Sequence, residues 1–183
     1  MEYERFSQLV APHIATLARV AAALVGLADA EDAAQEAMLR AWQHWPSLRD
    51  EEAVRAWLLR ITVNVCHNWR AGHFGTTRRL NAPLDRELHD TARDQFGGEP
   101  HNAEALDVRQ AVATLPEDLR RVVALRFYAG MNSTEIGEAL EMPAATVRTR
   151  LRRALELLRE RLAHGGDTGM VSKVAHREDL SDG

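Results

Sequence analysis

Arg148, Thr149, Arg152 and Arg153 follow one another closely, and no acidic residue interrupts them until Glu156. At about 100° per residue, Ala145, Thr149, Arg152, Arg153 and Glu156 share one side of a helix, with Arg148 and Arg159 flanking it. Guanidinium forks suit phosphate oxygens and the acceptor edge of guanine, and a threonine offers a hydroxyl and a methyl. A helix carrying such a face is built to enter a DNA major groove. The same residues also fit a plain solvated face, because charged outer sides are the rule for amphipathic helices. This segment alone leaves both readings open.

The chain around these residues spells a helix-turn-helix. Asn132 is placed as an N-cap, and Glu135 three residues on completes a capping-box spacing. Ile136 and Leu140 supply an apolar stripe, and Gly137 leaves room for a crossing helix. Glu141-Met142 breaks the pattern, and Pro143 suits the first position of the next helix. From there Val147, Leu151, Ala154, Leu155, Leu158 and Leu162 fall on one side, opposite the arginines.

Upstream, the 3.6-residue period recurs and strand-like alternation does not, so the fold class is all-α. A first helical region runs through Phe6, Leu9, Val10, Ile14, Leu17, Ala21 and Leu24, divided at Pro12 and ended by Gly26. A second helix starts at Asp29, buries Ala34, Ala37, Met38, Ala41 and Trp45, and stops at Pro46. Its polar face holds Asp32, Gln35, Glu36, Arg40 and Gln43. Leu39 within that face and Trp42 at its edge suggest a docking surface. A third helix from about Glu51 to Ala71 faces Val54, Trp57, Leu58, Ile61, Val65 and Trp69 inward. It presents Arg55, Arg60, Asn64, His67 and Arg70 outward, punctuated by Leu59 and Val63, a mixture suited to unstacked single-stranded nucleic acid. An ordinary solvated face remains the alternative for both helices. Residues 76–103 lose the period and gain Gly, Pro and charge, as a flexible linker between two small domains would. After Ala105 the pattern resumes, with a break at Pro116 and a helix from Glu117 to Tyr128. The tail, 164–183, opens on Gly165-Gly166 and is expected to be disordered.

Several functions are disfavoured. The eight histidines are scattered away from metal-ligand spacing, and Cys66-His67 point about 100° apart on a helix, poorly set as nucleophile and base. No glycine-rich phosphate loop and no catalytic constellation is visible. The sequence therefore predicts a non-enzyme without cofactor, metal or small-molecule substrate. No run of about 18 apolar residues and no basic leader is present, so neither membrane insertion nor secretion is expected. A single cysteine in 183 residues fits a reducing cytoplasm. The net charge of −4 conflicts with tight general DNA binding, because phosphate neutralisation dominates that affinity. Within 144–161, six arginines face two acids, so the positive charge is local and a partner is needed to supply affinity.

With these residues placed, the chain resembles the bacterial sigma factors of the sigma-70 family, in the small group named for extracytoplasmic function (ECF). Three segments in order carry the likeness: DAEDAAQEAMLRAW (29–42), VRAWLLRITVN (54–64) and LPEDLRRVVALRFYAGMNSTEIGEALEMPAATVRTRLRRA (115–154). The resemblance implies a region 2-like domain over 1–75, a linker over 76–103, a region 4-like helix-turn-helix domain over 104–163, and a tail outside the pattern. It implies docking of Asp32, Gln35, Glu36, Leu39 and Arg40 on the clamp helices of core RNA polymerase. Arg55, Arg60, Asn64, Asn68 and Arg70 would take the −10 promoter element. Arg148, Thr149, Arg152 and Arg153 would contact the −35 element, with Thr146 at a phosphate. An anti-sigma factor is the implied regulator. Glu141 departs from the pattern, standing where such turns often carry Gly. The competing reading is a stand-alone helix-turn-helix regulator whose N-terminal bundle senses a ligand or dimerises.

Overall fold

The computed structural model describes residues 2–72 and 103–178, and the expected linker lies almost wholly outside them. All regular elements among the described residues are helical. The first unit holds α1 (Glu2–Val10), α2 (Ile14–Val25), α3 (Leu27–His44) and α4 (Val54–Arg70). Pro12 sits in a 3-10 turn, Ala11–His13, which separates α1 from α2 as its fixed φ and missing N–H require. Gly26 ends α2 with φ 90°, a conformation that costs glycine little. α3 starts two residues before the expected Asp29 and gives way to a 3-10 turn at Trp45–Ser47, where Pro46 blocks continuation. Asp50 accepts a hydrogen bond from the Glu52 N–H and so caps the 3-10 turn that leads into α4.

α2, α3 and α4 pack together around Leu17, Val20, Ala21, Leu24, Leu58 and Val65, with Ala30, Ala33, Ala37 and Ala41 letting α3 approach closely. Each fully buried Leu or Val there contributes roughly 1.5–3 kcal/mol. The stretch Glu2–Val25 is long and apolar enough to cross a membrane by length and composition. Its Phe6, Val10, Leu17, Val20, Ala21 and Leu24 are nevertheless placed in this core. Edge-on aromatic contacts join Phe6 to Trp42 and Trp45, and Trp45 to Trp57, closing the end of the bundle.

The second unit comprises α5 (Ala103–Ala113), α6 (Glu117–Val123), a π-helical segment (Ala124–Tyr128), α7 (Ser133–Ala139) and α8 (Ala144–Glu178). α8 packs on α5, α6 and α7, with Leu115, Leu119, Val123, Ala154 and Leu158 in the seam. Two expectations are corrected. Pro143 immediately precedes α8 rather than occupying its first turn, and its carbonyl accepts from the Val147 N–H. The expected disordered tail is helical to Glu178, because α8 runs on through Gly165 and Gly166. Interior glycines cost a helix about 1 kcal/mol each, but extending an existing helix needs no new nucleus.

Candidate nucleic-acid interface

The turn of the helix-turn-helix is set by local chemistry. Asn132 accepts from the Thr134 and Glu135 N–H groups at 2.9 and 3.1 Å, while the Glu135 carboxylate accepts from the Asn132 N–H at 2.6 Å. The capping box read from the sequence is therefore closed on both sides. Asn132→Ala is expected to lower the thermal stability of this unit by about 1 kcal/mol; an unchanged melting curve would refute the cap's contribution. Gly137 lies under the turn, where an added Cβ would meet the Met142 carbonyl oxygen at 2.6 Å. Its own carbonyl accepts from the Met142 N–H at 2.8 Å. Glu141 adopts φ 55°, so this turn keeps the left-handed geometry with a non-glycine residue.

This geometry delivers α8 with Val147 and Ala154 fully buried and Arg148, Thr149, Arg152 and Arg153 exposed; Thr146 is half-buried beside them. The Thr149 hydroxyl donates to the Ala145 carbonyl at 3.1 Å. Arg153 lies 3.5 Å from Glu156, an exposed pair of little strength. Arg150, between these residues in sequence, turns the other way to Asp118 at 3.5 Å and to the Met142 sulfur at 3.4 Å. The structure thus sorts the arginines of α8 into an outward set and one that braces the fold.

On α3, Gln35, Leu39 and Trp42 are exposed, and Asp32, Glu36 and Arg40 are half-buried at the same face. Glu36 accepts from the Arg40 guanidinium at 2.9 Å, and Gln35 donates to Glu31 at 3.2 Å. Leu39, at 51% exposure, stands out among these tethered polar groups. The Tyr3 ring meets Trp42 edge-on at 5.6 Å and is itself exposed, so α1 extends the apolar surface beyond Leu39. Sequence reading missed Tyr3, because its pairing with Trp42 depends on how α1 folds back.

On α4, Arg60, Asn64 and His67 form one exposed stripe, with Asn68 half-buried at its margin. Arg70 is exposed, and it donates to the Leu24 carbonyl at 3.2 Å, tying α4 to the end of α2. Leu59 and Val63, expected to punctuate the outward face, are buried at 0% and 1%. α4 is covered by α2 and α3 on one side and by α7 of the second unit on another, so its buried face is wider than one amphipathic period. Polar groups also bridge the two units. Arg55 donates to the Ala129 carbonyl, Arg60 pairs with Glu141, and His67 pairs with Glu117. Burial, and then the nearby Arg55 guanidinium, hold His13 below the usual histidine range. Burial pushes the Cys66 thiol up to about 12, which keeps it protonated and unreactive at neutral pH. No group of three or more potential metal ligands occurs among the described residues.

Two separate faces, one set by α3 and α4 and one by α8, lie on an all-helical scaffold. Comparison with known proteins defines the class. Residues 9–73 match sigma-70 region 2, and residues 105–158 match sigma-70 region 4. The chain is 30% identical to the ECF RNA polymerase sigma-E factor of Escherichia coli K12 over 168 residues, covering 86% of each protein. It is 33% identical to the probable RNA polymerase sigma factor RfaY of Xanthomonas campestris over 78% of this chain, and that match spans 36% of the longer protein. Among solved structures, CnrH in complex with the cytosolic domain of CnrY aligns with a TM-score of 0.63 and 26% identity, over 88% of this chain and 90% of that one. The chain belongs to the sigma-70 family, in its ECF group. It is a sigma factor, which binds core RNA polymerase and directs promoter-specific initiation. Matches in both halves disfavour the stand-alone regulator, whose N-terminal bundle would have no reason to be region 2. The family is one of initiation factors rather than enzymes.

Proposed function

We propose that four stretches divide the work: 1–75 docks on polymerase and takes the −10 element, 76–103 links, 104–163 takes the −35 element, and 164–183 extends the chain beyond both. Docking falls to Asp32, Gln35, Glu36, Leu39 and Arg40, and the support is an exposed leucine and tryptophan framed by mutually tethered polar groups. Such an apolar centre with a polar rim is the usual anatomy of a protein interface. The −10 element falls to Arg55, Arg60, Asn64, Asn68 and Arg70 on α4. Thr146, Arg148, Thr149, Arg152 and Arg153 take the −35 element.

The acid-free arginine face at the start of α8 carries this reading, since nothing in the core of the protein requires it. The chain acts where polymerase acts, in the cytoplasm. An anti-sigma protein, of the kind that CnrH meets in CnrY, is its proposed regulator. Purified chain mixed with core polymerase should be retained in a pull-down and should direct run-off from its promoter; failure of both would dismiss the assignment. Glu36→Lys should weaken polymerase binding about tenfold with folding intact, because it reverses a charge and loses the Arg40 partner at a docking face. Unchanged binding would remove α3 from the interface.

A further inference from the structure

We propose that Arg150 is a positioning residue for the −35 grip: tied to Asp118 of α6, it fixes the rotation of α8 about its own axis. It thereby aims Arg148, Thr149, Arg152 and Arg153, and the inference rests on the −35 reading of those four. On the helix Arg150 lies about 60° from Val147 and about 40° from Ala154, both fully buried, so it borders the packed side. Its guanidinium reaches across the seam. Nε lies 3.5 Å from the Asp118 carboxylate, and Nη1 donates to the Met142 sulfur at 3.4 Å. Two atoms of one planar group are thus held by two elements, α6 and the turn before α8.

Apolar packing alone leaves this rotation loose. Val147, Ala154 and Leu158 resist lifting α8 off its neighbours, but burial of apolar surface is non-directional. Side chains stand about 5–6 Å from a helix axis, so a turn of about 10° moves an outward group by about 1 Å. A recognition constellation tolerates about 0.5 Å. A guanidinium held at two points supplies the direction that the core lacks. The far end of the tie is firm. Asp118 stands in the first turn of α6, and the corner before it is closed by Arg120. That arginine is buried, its side chain donates to the Leu115 carbonyl at 3.1 Å, and its N–H donates to the Pro116 carbonyl at 2.9 Å.

Asp118→Asn tests this through the sign of its effect. Removing an acid beside a DNA-binding helix favours phosphate contact and should tighten binding, whereas removing the tie should weaken it. The assay uses holoenzyme assembled from the full chain and core polymerase, on a promoter duplex that the parent holoenzyme selects from a randomised pool. Asp118→Asn and Arg150→Ala should each lower affinity about threefold to fivefold. The double variant should lose no more than either alone, because the two groups act as one unit. Preference for that duplex over one with a scrambled −35 element should narrow, while the salt slope and the melting temperature of Asp118→Asn stay at the parent's values. A merely structural tie would lower the melting temperature and leave that preference intact. Glu138→Gln, which removes an exposed acid of α7, controls for charge and should not weaken binding. Unchanged or tighter binding by Asp118→Asn overturns the proposal. So does a salt slope lowered by about one unit in Arg150→Ala, since Arg150 would then hold a phosphate itself. The Arg152→Ala, Arg153→Ala double variant in the same assay separates the two readings. If it weakens binding and the Asp118 and Arg150 variants do not, the tie alone fails; if none of them does, the −35 reading fails as well.

Discussion

Replacing Arg152 and Arg153 together with alanine is expected to lower −35 binding by the holoenzyme roughly thirtyfold or more, while polymerase binding is unchanged. Both side chains are exposed on the outward face of α8, and Glu156 holds Arg153 only weakly at 3.5 Å. A good arginine contact to a base edge is worth about 1–3 kcal/mol, so two lost contacts remove at least about 2 kcal/mol, and each 1.4 kcal/mol is tenfold. Folding should survive, because α8 packs through Val147, Ala154 and Leu158 on its other side. Footprinting of the −35 region beside a polymerase pull-down reads both quantities. Salt titration separates two forms of contact. Loss of phosphate contacts lowers the salt slope by about one unit each, whereas loss of base contacts relaxes sequence preference at fixed positions. Normal −35 protection in the double variant would contradict the assignment of this face.

The α8 face was legible in the sequence because everything that sets it is local. Val147 and Ala154 come back to the same side after two turns, and the arginines occupy the remainder. The capping box needed only Asn132 and Glu135. The break at Pro12 and the stop at Gly26 likewise follow from single residues. What the sequence concealed lies between segments far apart in the chain. Leu59 and Val63 look like outward interruptions on a helical wheel, and only the arrival of α7 over α4 makes them core. Arg55 and Arg60 read as free cations, yet each finds its partner more than seventy residues away. His67 likewise finds Glu117 fifty residues away, and burial by a second unit has no period that a helical wheel could reveal. The helical extension to Glu178 was hidden for a different reason. Its glycines argue against helix locally, and its continuity with α8 argues for it.

Gly137→Ala is the substitution expected to damage the −35 grip without touching DNA. The added Cβ would sit 2.6 Å from the Met142 carbonyl oxygen and 3.4 Å from the Ala144 nitrogen. Both are backbone atoms, so no side-chain rotation can relieve the contact. Displacing Met142 also threatens the 2.8 Å hydrogen bond from its N–H to the Gly137 carbonyl. The preceding residue, Glu141, already holds a conformation with little freedom. Overpacking of this kind typically costs about 1–3 kcal/mol, and the broken hydrogen bond adds about 1 kcal/mol more. The strain falls on the start of α8, so Arg148 and Thr149 should lose their register before the unit unfolds. Gly130→Ala is the informative contrast: unlike the helical Gly137, it has a positive φ, at 67°, and its nearest neighbour is the flexible end of Arg55 at 4.0 Å. Its cost should be limited to backbone strain of about 1 kcal/mol. The expected order in melting temperature is therefore parent, then Gly130→Ala, then Gly137→Ala, with −35 protection lost only in the last. Polymerase binding should persist in all three, because the α3 face lies in the other unit. Equal melting temperatures for Gly137→Ala and the parent would mean that the turn yields without resistance. The close approach of Gly137 to the turn would then not be what aims the recognition helix.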